Sequence, residues 1–252
     1  MIGKRFEYQK MFDAERKLWW YRILHTKTIR IIGHYNPDNQ DIKLLDAGCG
    51  TGGMMESLRM AGYRSIVGFD ASADAVEFSK SRGFTVFEYD LTQLGGFQPS
   101  TKVDVLICHD VLCYFDDTTI ISLFEQVRDR LNPGGIFITN NNAHPIFSGA
   151  HDVVLGIKRR FTQKELAKLA QQAGLKVVYA TYWSLFLSPL IALVRGFQRI
   201  AMKIGVLKPT TSDVAVPPAW LNQTFWAIVR LEEKLLKSAP FGSSIFMVFS
   251  RL

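Results

Sequence analysis

Residues 44–53 read LLDAGCGTGG, in which two leucines and an aspartate are followed by four glycines among six residues. The apolar start predicts a short buried strand, and the glycines predict a tight turn into a helix that begins near Gly53. Gly48, Gly50 and Gly53 fit the pattern G-x-G-x-x-G, which occurs where backbone approaches a nucleotide cofactor closely. This strand–turn–helix unit therefore predicts an α/β fold with a cofactor at the turn.

The chain from Ile42 onward alternates apolar runs of strand length with helical patterns, which is typical of βαβ units around a parallel sheet. Seven strands are predicted, by the segments KLLDAG, SIVGFD, FTVFEYD, VDVLICH, GIFITN, LKVVYATYW and SSIFMVFSRL. Ser72 can cap the helix after the second strand, and Gly83 can end it. The segment TQKE at 162–165 has the form of a capping box, so it predicts the start of another helix.

A long connection separates the last two strands, because residues 184–242 far exceed what neighbouring strands need. The uncharged run at 177–194 is near the length of a membrane span. Its first half alternates like a strand and Pro189 interrupts its second half, so we expect a strand followed by a helix of a lid. Four segments are predicted: a helical lid at 1–40, a cofactor-binding core at 41–183, a helical lid and substrate insert at 184–242, and the last core strand at 243–252.

Charge is distributed unevenly along the chain, whose formal net charge is +7. Residues 31–140 are acidic and both flanks are basic; residues 141–252 alone hold 14 Lys and Arg against 5 Asp and Glu. Basic flanks suit nucleic acid, an anionic membrane surface or an anionic substrate, and a solvated surface explains them equally well. The basic amphipathic segment RGFQRIAMKIG could rest peripherally on a membrane, although packing against the domain is the commoner outcome.

The N-terminus is charged and lacks the apolar core of a signal peptide. The three cysteines show neither zinc spacing nor a disulfide framework. Both features predict a reducing, cytoplasmic setting.

The acid at the mouth of the glycine turn helps to choose the cofactor. Asp46 disfavours a pyrophosphate, whereas S-adenosylmethionine carries a sulfonium and an α-ammonium group that a carboxylate attracts. Asp70 follows Gly48 by 22 residues at the end of the second strand, where an acid suits a ribose diol. The glycines alone leave a nicotinamide or flavin site open, but Asp46 favours S-adenosylmethionine, with S-adenosylhomocysteine as the product.

The segment 42–183 resembles the class I S-adenosylmethionine-dependent methyltransferases, with five motifs in order. LLDAGCGTGG is similar to their first motif, VGFDAS to the second, YDL to the third, VDVLICHDVLCYF to the fourth and LNPGGIFIT to the turn before the fifth strand. The resemblance implies a doubly wound, mostly parallel, seven-strand Rossmann-like sheet with an antiparallel last strand. It also implies that Asp70 binds the ribose, while Asp90 and the Leu91 amide bind the adenine. The cofactor-binding residues expected from the core motifs are Asp46, Gly48, Gly50, Gly52, Asp70, Ala71, Asp90, Leu91 and His109.

Two further segments resemble a bacterial subset of small-molecule methyltransferases. AERKLWWYR is similar to the subset's N-terminal W-W-[FY]-R segment, and SGAHDVVLGIKRRFTQKEL to its H-D…L-G…R-R-[FY]-T stretch. The resemblance implies that Trp20 and Arg22 belong to a lid over the methionine end of the cofactor. Members of this subset look like natural-product, polysaccharide or quinone-pathway enzymes, so the acceptor stays open.

Three histidines fall at the C-terminal edge of the predicted sheet, where ligands bind in such folds. His109 ends the fourth strand, and His144 and His151 follow the fifth. Because histidine accepts protons near neutral pH, each is a candidate general base, and His151 is favoured. His109 could equally position the cofactor through its backbone.

The sequence thus predicts a methyltransferase for a small hydrophobic or anionic acceptor, with O-methylation and a histidine base as the leading expectation. Arg159 or Arg160 could bind an anionic group. An RNA or protein methyltransferase, or a C- or N-methyltransferase that needs no base, is the alternative. We find no nucleic-acid-binding module, so no nucleic-acid partner is expected. No metal is expected either, since Asp110 with Asn140 or Asn141 makes a poor Mg²⁺ site.

Overall fold

The computed structural model describes residues 5–98 and 100–252. The helices are α1 (Arg5–Ala14), α2 (Trp19–Tyr35), α3 (Gly53–Met60), α4 (Ala73–Ser81), α5 (Asp117–Arg130), α6 (Ala150–Leu155), α7 (Gln163–Gln172), α8 (Ser188–Lys203) and α9 (Ala219–Leu235). The strands are β1 (Leu44–Ala47), β2 (Ile66–Asp70), β3 (Val86–Glu88), β4 (Val103–His109), β5 (Leu131–Asn142), β6 (Leu175–Trp183) and β7 (Ser244–Arg251). Ser72 caps α4, and Thr162 with Glu165 forms the capping box of α7, as the sequence predicts.

The seven strands form one sheet in the order β3-β2-β1-β4-β5-β7-β6. Strands β1 to β6 run parallel to one another, and β7 lies antiparallel between β5 and β6. The predicted fold class is therefore confirmed. The strand order reverses between β1 and β4, and ligands bind in α/β sheets at the crevice that such a reversal opens at the carboxyl ends of the strands.

Helices cover both faces of the sheet because successive residues of each buried strand point to opposite sides. Leu106 of β4 packs on the face covered by α5 and α7, with Phe124 and Leu166. Its neighbour Ile107 packs on the opposite face with Ile23 of α2 and other residues of α2, α3 and α9.

The predicted N-terminal lid divides into two parts, of which residues 1–4 lie outside the described residues. Helix α1 lies over the glycine turn, where Met11 approaches Gly50. Helix α2 is instead a core helix, because Ile23 and Ile32 are completely buried in the cluster that contains Ile107.

The insert 184–242 contains α8 and α9, joined by an irregular loop at 207–218. The uncharged run at 177–194 is divided between β6 and the start of α8, with Pro189 in the first turn of that helix, as the sequence predicts. Within the described residues, no helix combines the length and the apolar character needed to cross a membrane.

Candidate active site

The glycine turn connects β1 to α3 at the point where the strand order reverses. Gly48, Gly50 and Gly52 all have positive φ angles, of 81°, 54° and 82°. A Cβ atom on Gly48 would lie 2.7 Å from Cγ2 of Val111, and one on Gly50 would lie 3.2 Å from Sδ of Met11. The turn therefore needs glycine both for its backbone conformation and for the close approach of the segments that cover it.

Asp70 ends β2 beside this turn and braces it. One carboxylate oxygen accepts a hydrogen bond from the Gly50 amide at 2.9 Å, and the other accepts one from the Ser72 amide at 2.9 Å. Each oxygen keeps a second acceptor position that ribose hydroxyls can use. Burial and the charge of Asp70 raise the pKa of Tyr8, on α1, to about 12, which places this phenol beside the predicted ribose site.

Asp46 is the buried acid at the mouth of the turn. It is 3% exposed, and its Oδ2 has no hydrogen-bond partner among the described residues. Burial, together with the charges of Glu15 and Asp70, raises its pKa to about 8. A buried acceptor without a donor is costly, so the carboxylate suits a cationic ligand that supplies one. The orphaned oxygen thus fits the ammonium and sulfonium groups of S-adenosylmethionine.

Asp90 and Leu91 follow β3, next to β2 in the sheet, at the same edge as Asp70. Oδ1 of Asp90 accepts hydrogen bonds from the amide and the hydroxyl of Thr92, both at 2.9 Å. The Asp90 side chain is exposed, Leu91 is buried, and Ala71 is half-buried between Asp70 and Ser72. The structure therefore brings these predicted adenine and ribose residues together along one edge.

Glu15, which lies between α1 and α2, closes the turn from above. It accepts a hydrogen bond from the Thr51 hydroxyl at 2.5 Å and pairs with Arg82 at 2.8 Å. Arg82 also pairs with Glu56 of α3, and its side chain is only 1% exposed. Burial raises the pKa of Glu15 to about 7 despite the nearby arginine. The sequence reasoning missed Glu15, Tyr8 and Met11, although Glu15 belongs to the quoted segment AERKLWWYR.

In the W-W-Y-R segment, Tyr21 lies closer to the acids of the site than Trp20 or Arg22 does. The guanidinium of Arg22 lies 5.0 Å from the Trp226 ring of α9, and its Nη1 is 3.4 Å from the Gln223 side chain. Trp20 packs 5.5 Å from the Trp183 ring, behind the ends of the strands. Tyr21 is buried, and this burial is the main reason why its pKa lies well above the ordinary value. The charges of Glu15 and Asp110 raise the pKa of Tyr21 further. Arg22 thus contacts α9, and its place in a lid over the methionine end of the cofactor stays a prediction.

His109 ends β4 with both ring nitrogens engaged. Nδ1 accepts a hydrogen bond from the backbone amide of Asn140 at 3.0 Å. Nε2 therefore carries the proton and donates a hydrogen bond to the Thr28 hydroxyl at 3.0 Å. Thr28 in turn donates to the Leu24 carbonyl on α2. Burial lowers the pKa of His109 to about 3. These contacts contradict the prediction that His109 acts as a base; its side chain links β4 to α2.

His144 lies in an aromatic stack. Its ring is 4.7 Å from that of Tyr182 and 4.6 Å from that of Phe241, at interplanar angles of 28° and 22°. Burial lowers its pKa. The structure therefore places His144 in a packing role against Tyr182 of β6 and Phe241.

His151 pairs with an acid that the sequence reasoning did not connect to it. Nδ1 lies 2.7 Å from Oδ1 of Asp213, in the loop at 207–218, and Arg195 of α8 pairs with the other oxygen at 2.6 Å. Both partners hold the pKa of Asp213 far below its usual range. The adjacent Asp152 makes a bidentate pair with Arg160, so it does not orient His151.

The loop at 207–218 is also fastened to α1. The Ser212 amide donates to Oε1 of Glu7 at 2.9 Å, the Ser212 hydroxyl donates to Oε2, and Lys10 donates to the Ser212 carbonyl. Glu7 is 3% exposed and Ser212 is 4% exposed. This contact, which we call the Glu7–Ser212 clasp, joins the helix over the cofactor site to the loop that holds His151.

Asp110 lies directly after β4, at the same edge of the sheet as the glycine turn. Its carboxylate accepts from the Asn140 amide side chain at 3.0 and 3.1 Å, and Asn140 accepts from the Trp183 indole at 2.9 Å. Burial raises the Asp110 pKa to about 7, and the nearby His151 and Arg160 oppose the rise. The structure thus adds a second titratable group to the active edge.

The fold and this site define a class I methyltransferase. Residues 21–180 match the methyltransferase domain family, and the chain belongs to that family. The protein is therefore a methyltransferase enzyme. A search of curated proteins finds no match.

Solved structures of other methyltransferases share the fold. An S-adenosylmethionine-dependent methyltransferase from Clostridium acetobutylicum is 14% identical, covering 97% of this chain and 92% of that one, with a TM-score of 0.55. One from Archaeoglobus fulgidus is 15% identical, covering 91% and 94%, with a TM-score of 0.57. The magnesium protoporphyrin IX methyltransferase from Synechocystis, crystallised with S-adenosylmethionine, is 17% identical, covering 71% and 84%, with a TM-score of 0.51.

Proposed function

We propose that this enzyme transfers the methyl group of S-adenosylmethionine to a hydroxyl group of a small hydrophobic acceptor and releases S-adenosylhomocysteine. The observation that carries the cofactor assignment is the buried, unpartnered Oδ2 of Asp46. A dinucleotide would bring a pyrophosphate towards Asp46, Asp70 and Glu15, three acids that lie around one turn. A cationic cofactor is attracted by the same charges.

Different residues of the site would bind different parts of the cofactor. Asp46 would hold the methionine end, Asp70 the ribose and Asp90 the adenine. Tyr8 and Met11 of α1 cover the glycine turn. They would exclude water from the cleft, and electrostatic contacts are stronger where water is excluded.

Bound S-adenosylmethionine supplies a methyl carbon that its sulfonium already activates. The chain has to align the acceptor and accept its proton. As the S–CH₃ bond breaks and the O–CH₃ bond forms, the hydroxyl proton passes to Nε2 of His151. Asp213 lies 2.7 Å from Nδ1, and its charge would stabilise the imidazolium that forms.

Asp110 is the second candidate for the base, because its pKa of about 7 allows it to exchange a proton near neutral pH. The two candidates differ in their dependence on the insert. His151 needs Asp213 from the loop at 207–218, whereas Asp110 is held by Asn140 within the sheet.

A neutral, hydrophobic acceptor fits the charges better than an anionic one. Arg160 is engaged by Asp152, Arg195 by Asp213 and Arg159 by Asp117, so these three guanidinium groups already have carboxylate partners. Aromatic side chains lie close to Asp110 instead. Burial is the main cause of the raised pKa values of Tyr21 and Tyr114, and the nearby charge of Asp110 adds to the rise in both. Aromatic and apolar linings are typical of sites for hydrophobic small molecules.

Calorimetry followed by a product screen tests this function. We expect S-adenosylmethionine and S-adenosylhomocysteine to bind and NADH not to bind; tighter binding of NADH would overturn the cofactor assignment. Hydrophobic phenols and alcohols are then incubated with methyl-labelled cofactor, and the products are identified by mass spectrometry. An O-methyl ether is expected. A C- or N-methylated product would remove the need for a base, and labelled RNA or protein would overturn the acceptor class.

A further inference from the structure

Helix α8 packs on the protein with its polar side. Arg195 donates to Gln198 at 2.9 Å and pairs with Asp213, and Gln198 accepts from the Ala150 amide at 3.2 Å. Arg199 donates to the carbonyls of Ile146 and Ser148 at 2.6 and 3.1 Å. Arg195 and Arg199 therefore hold α8 against the active-site loops.

The opposite side of α8 is apolar and exposed. Five side chains at alternating intervals of three and four residues form one stripe, which we call the α8 stripe: Leu190 at 48% exposure, Leu193 at 57%, Phe197 at 64%, Ile200 at 59% and Ile204 at 67%. Ser188 is the only residue of this helix that is buried. Single exposed apolar residues are ordinary, but a contiguous stripe on one helix indicates an interaction surface.

This orientation is the reverse of what amphipathic helices in globular domains usually adopt. The sequence predicts packing of α8 against the domain as the commoner outcome. The structure shows this packing through Arg195, Arg199 and the half-buried Ile191, while the α8 stripe stays exposed. Its apolar face still needs an occupant.

The positive charge around α8 favours an anionic partner for the α8 stripe. Residues 184–212 contain Arg195, Arg199, Lys203 and Lys208 and no aspartate or glutamate. Lys203 and Lys208 are exposed near the C-terminal end of the stripe. Anionic lipid headgroups attract such lysines, and each one near a membrane surface contributes about 1 kcal/mol, or roughly a fivefold gain in affinity.

A second copy of the chain fits the stripe less well. Two copies with a net charge of +7 each repel one another, and α8 offers no acidic side chain to pair with the lysines of its copy. The stripe spans about two heptads, whereas coiled-coil pairing is typical of at least three to four.

We propose that α8 lies flat on an anionic membrane surface, with the α8 stripe in the interfacial region and Lys203 and Lys208 among the headgroups. The opposite side of the same helix holds Asp213 through Arg195, so the insert loop of the active site faces the bilayer from close by. A hydrophobic acceptor dissolved in the membrane would then reach the enzyme without crossing water. The docking itself does not depend on the proposed acceptor.

Vesicle co-sedimentation of the full chain tests the proposal. We expect binding to phosphatidylcholine vesicles that contain about one third phosphatidylglycerol, and weaker binding to pure phosphatidylcholine or at high salt. The double variant Phe197→Ser/Ile200→Ser should lower the partition coefficient at least ~10-fold, because it removes two large apolar side chains from the interface. Met60→Ser is the matched control, since Met60 is 84% exposed on α3 and outside the stripe.

Three further measurements keep the result interpretable. Each variant must bind S-adenosylmethionine as the wild type does, which shows that it folds. Lys203→Gln/Lys208→Gln should reduce binding to anionic vesicles several-fold and leave binding to neutral vesicles unchanged. No binding to anionic vesicles would overturn the proposal, as would equal binding by the stripe variant. A dimer in sedimentation equilibrium that the stripe variant dissociates would assign the surface to a second copy instead.

Discussion

Replacing Asp46 with asparagine tests the electrostatic basis of the cofactor site. Asparagine keeps the size of the side chain but removes the charge that a cationic cofactor meets. Asp46 is 3% exposed and Oδ2 has no donor, so its contact with an ammonium would be a charge-assisted interaction worth about 1.5–3 kcal/mol. Because 1.4 kcal/mol corresponds to a factor of ten, we expect Asp46→Asn to weaken S-adenosylmethionine binding ~10- to 100-fold.

The raised pKa of Asp46 adds a pH dependence with a definite sign. With a pKa of about 8, the free carboxyl is mostly protonated at pH 7, and a cationic ligand must displace that proton. The affinity of the wild type should therefore rise ~10-fold per pH unit up to about pH 8 and stop rising there. The neighbouring Glu15 and Asp70 oppose ionisation of Asp46, whereas the bound cation favours it. Asp46→Asn should show a much flatter profile.

Calorimetry at pH 6, 7 and 8, in buffers of different ionisation enthalpy, measures both the affinity and the protons released. The wild type should release close to one proton at pH 7, and Asp46→Asn should release almost none. Asp41→Asn is the control, since Asp41 is an exposed carboxylate before β1 at the opposite edge of the sheet. The reasoning is refuted if Asp46→Asn binds within about twofold of the wild type, or if wild-type binding releases no proton.

Three other predictions concern the base, the ion network and the clasp. His151→Ala should lower kcat ~10²–10⁴-fold with unchanged cofactor affinity, and Asp213→Asn should lower kcat less because the imidazole remains; an unaltered kcat in steady-state kinetics would move the role to Asp110. Arg82→Met should lower the free energy of unfolding by about 3–5 kcal/mol because the buried Glu15 loses its cationic partner and Glu56 keeps only Arg16, and urea unfolding that shows less than about 1 kcal/mol would contradict this. Glu7→Gln should speed proteolytic cleavage within 207–218 when cofactor is bound, and equal cleavage rates would show that the Glu7–Ser212 clasp does not hold the loop.

The sequence predicts the parts of the fold that local chemistry specifies. Ser72 caps α4 and the Thr162–Glu165 pair caps α7, because capping depends only on residues within one turn of each other. The glycine turn and the acid that ends β2 are likewise local, and the structure joins them through the Gly50–Asp70 hydrogen bond. The outward direction of the α8 stripe could not be predicted, because periodicity shows that a helix has an apolar face but not what covers that face.

The three histidines at the active edge show why the base was harder to predict than the cofactor. In sequence they are hard to distinguish, since each lies at or after the end of a strand at that edge. They differ only through partners that the tertiary structure supplies: Thr28 from α2 for His109, two aromatic rings for His144, and Asp213 for His151. Because Asp213 comes from the insert and its neighbour Ser212 is clasped to Glu7 of α1, the proposed base would be held by a loop that is itself joined to α1 over the cofactor turn. Such coupling would keep His151 from acting until the cleft is covered, which links proton removal to the exclusion of water.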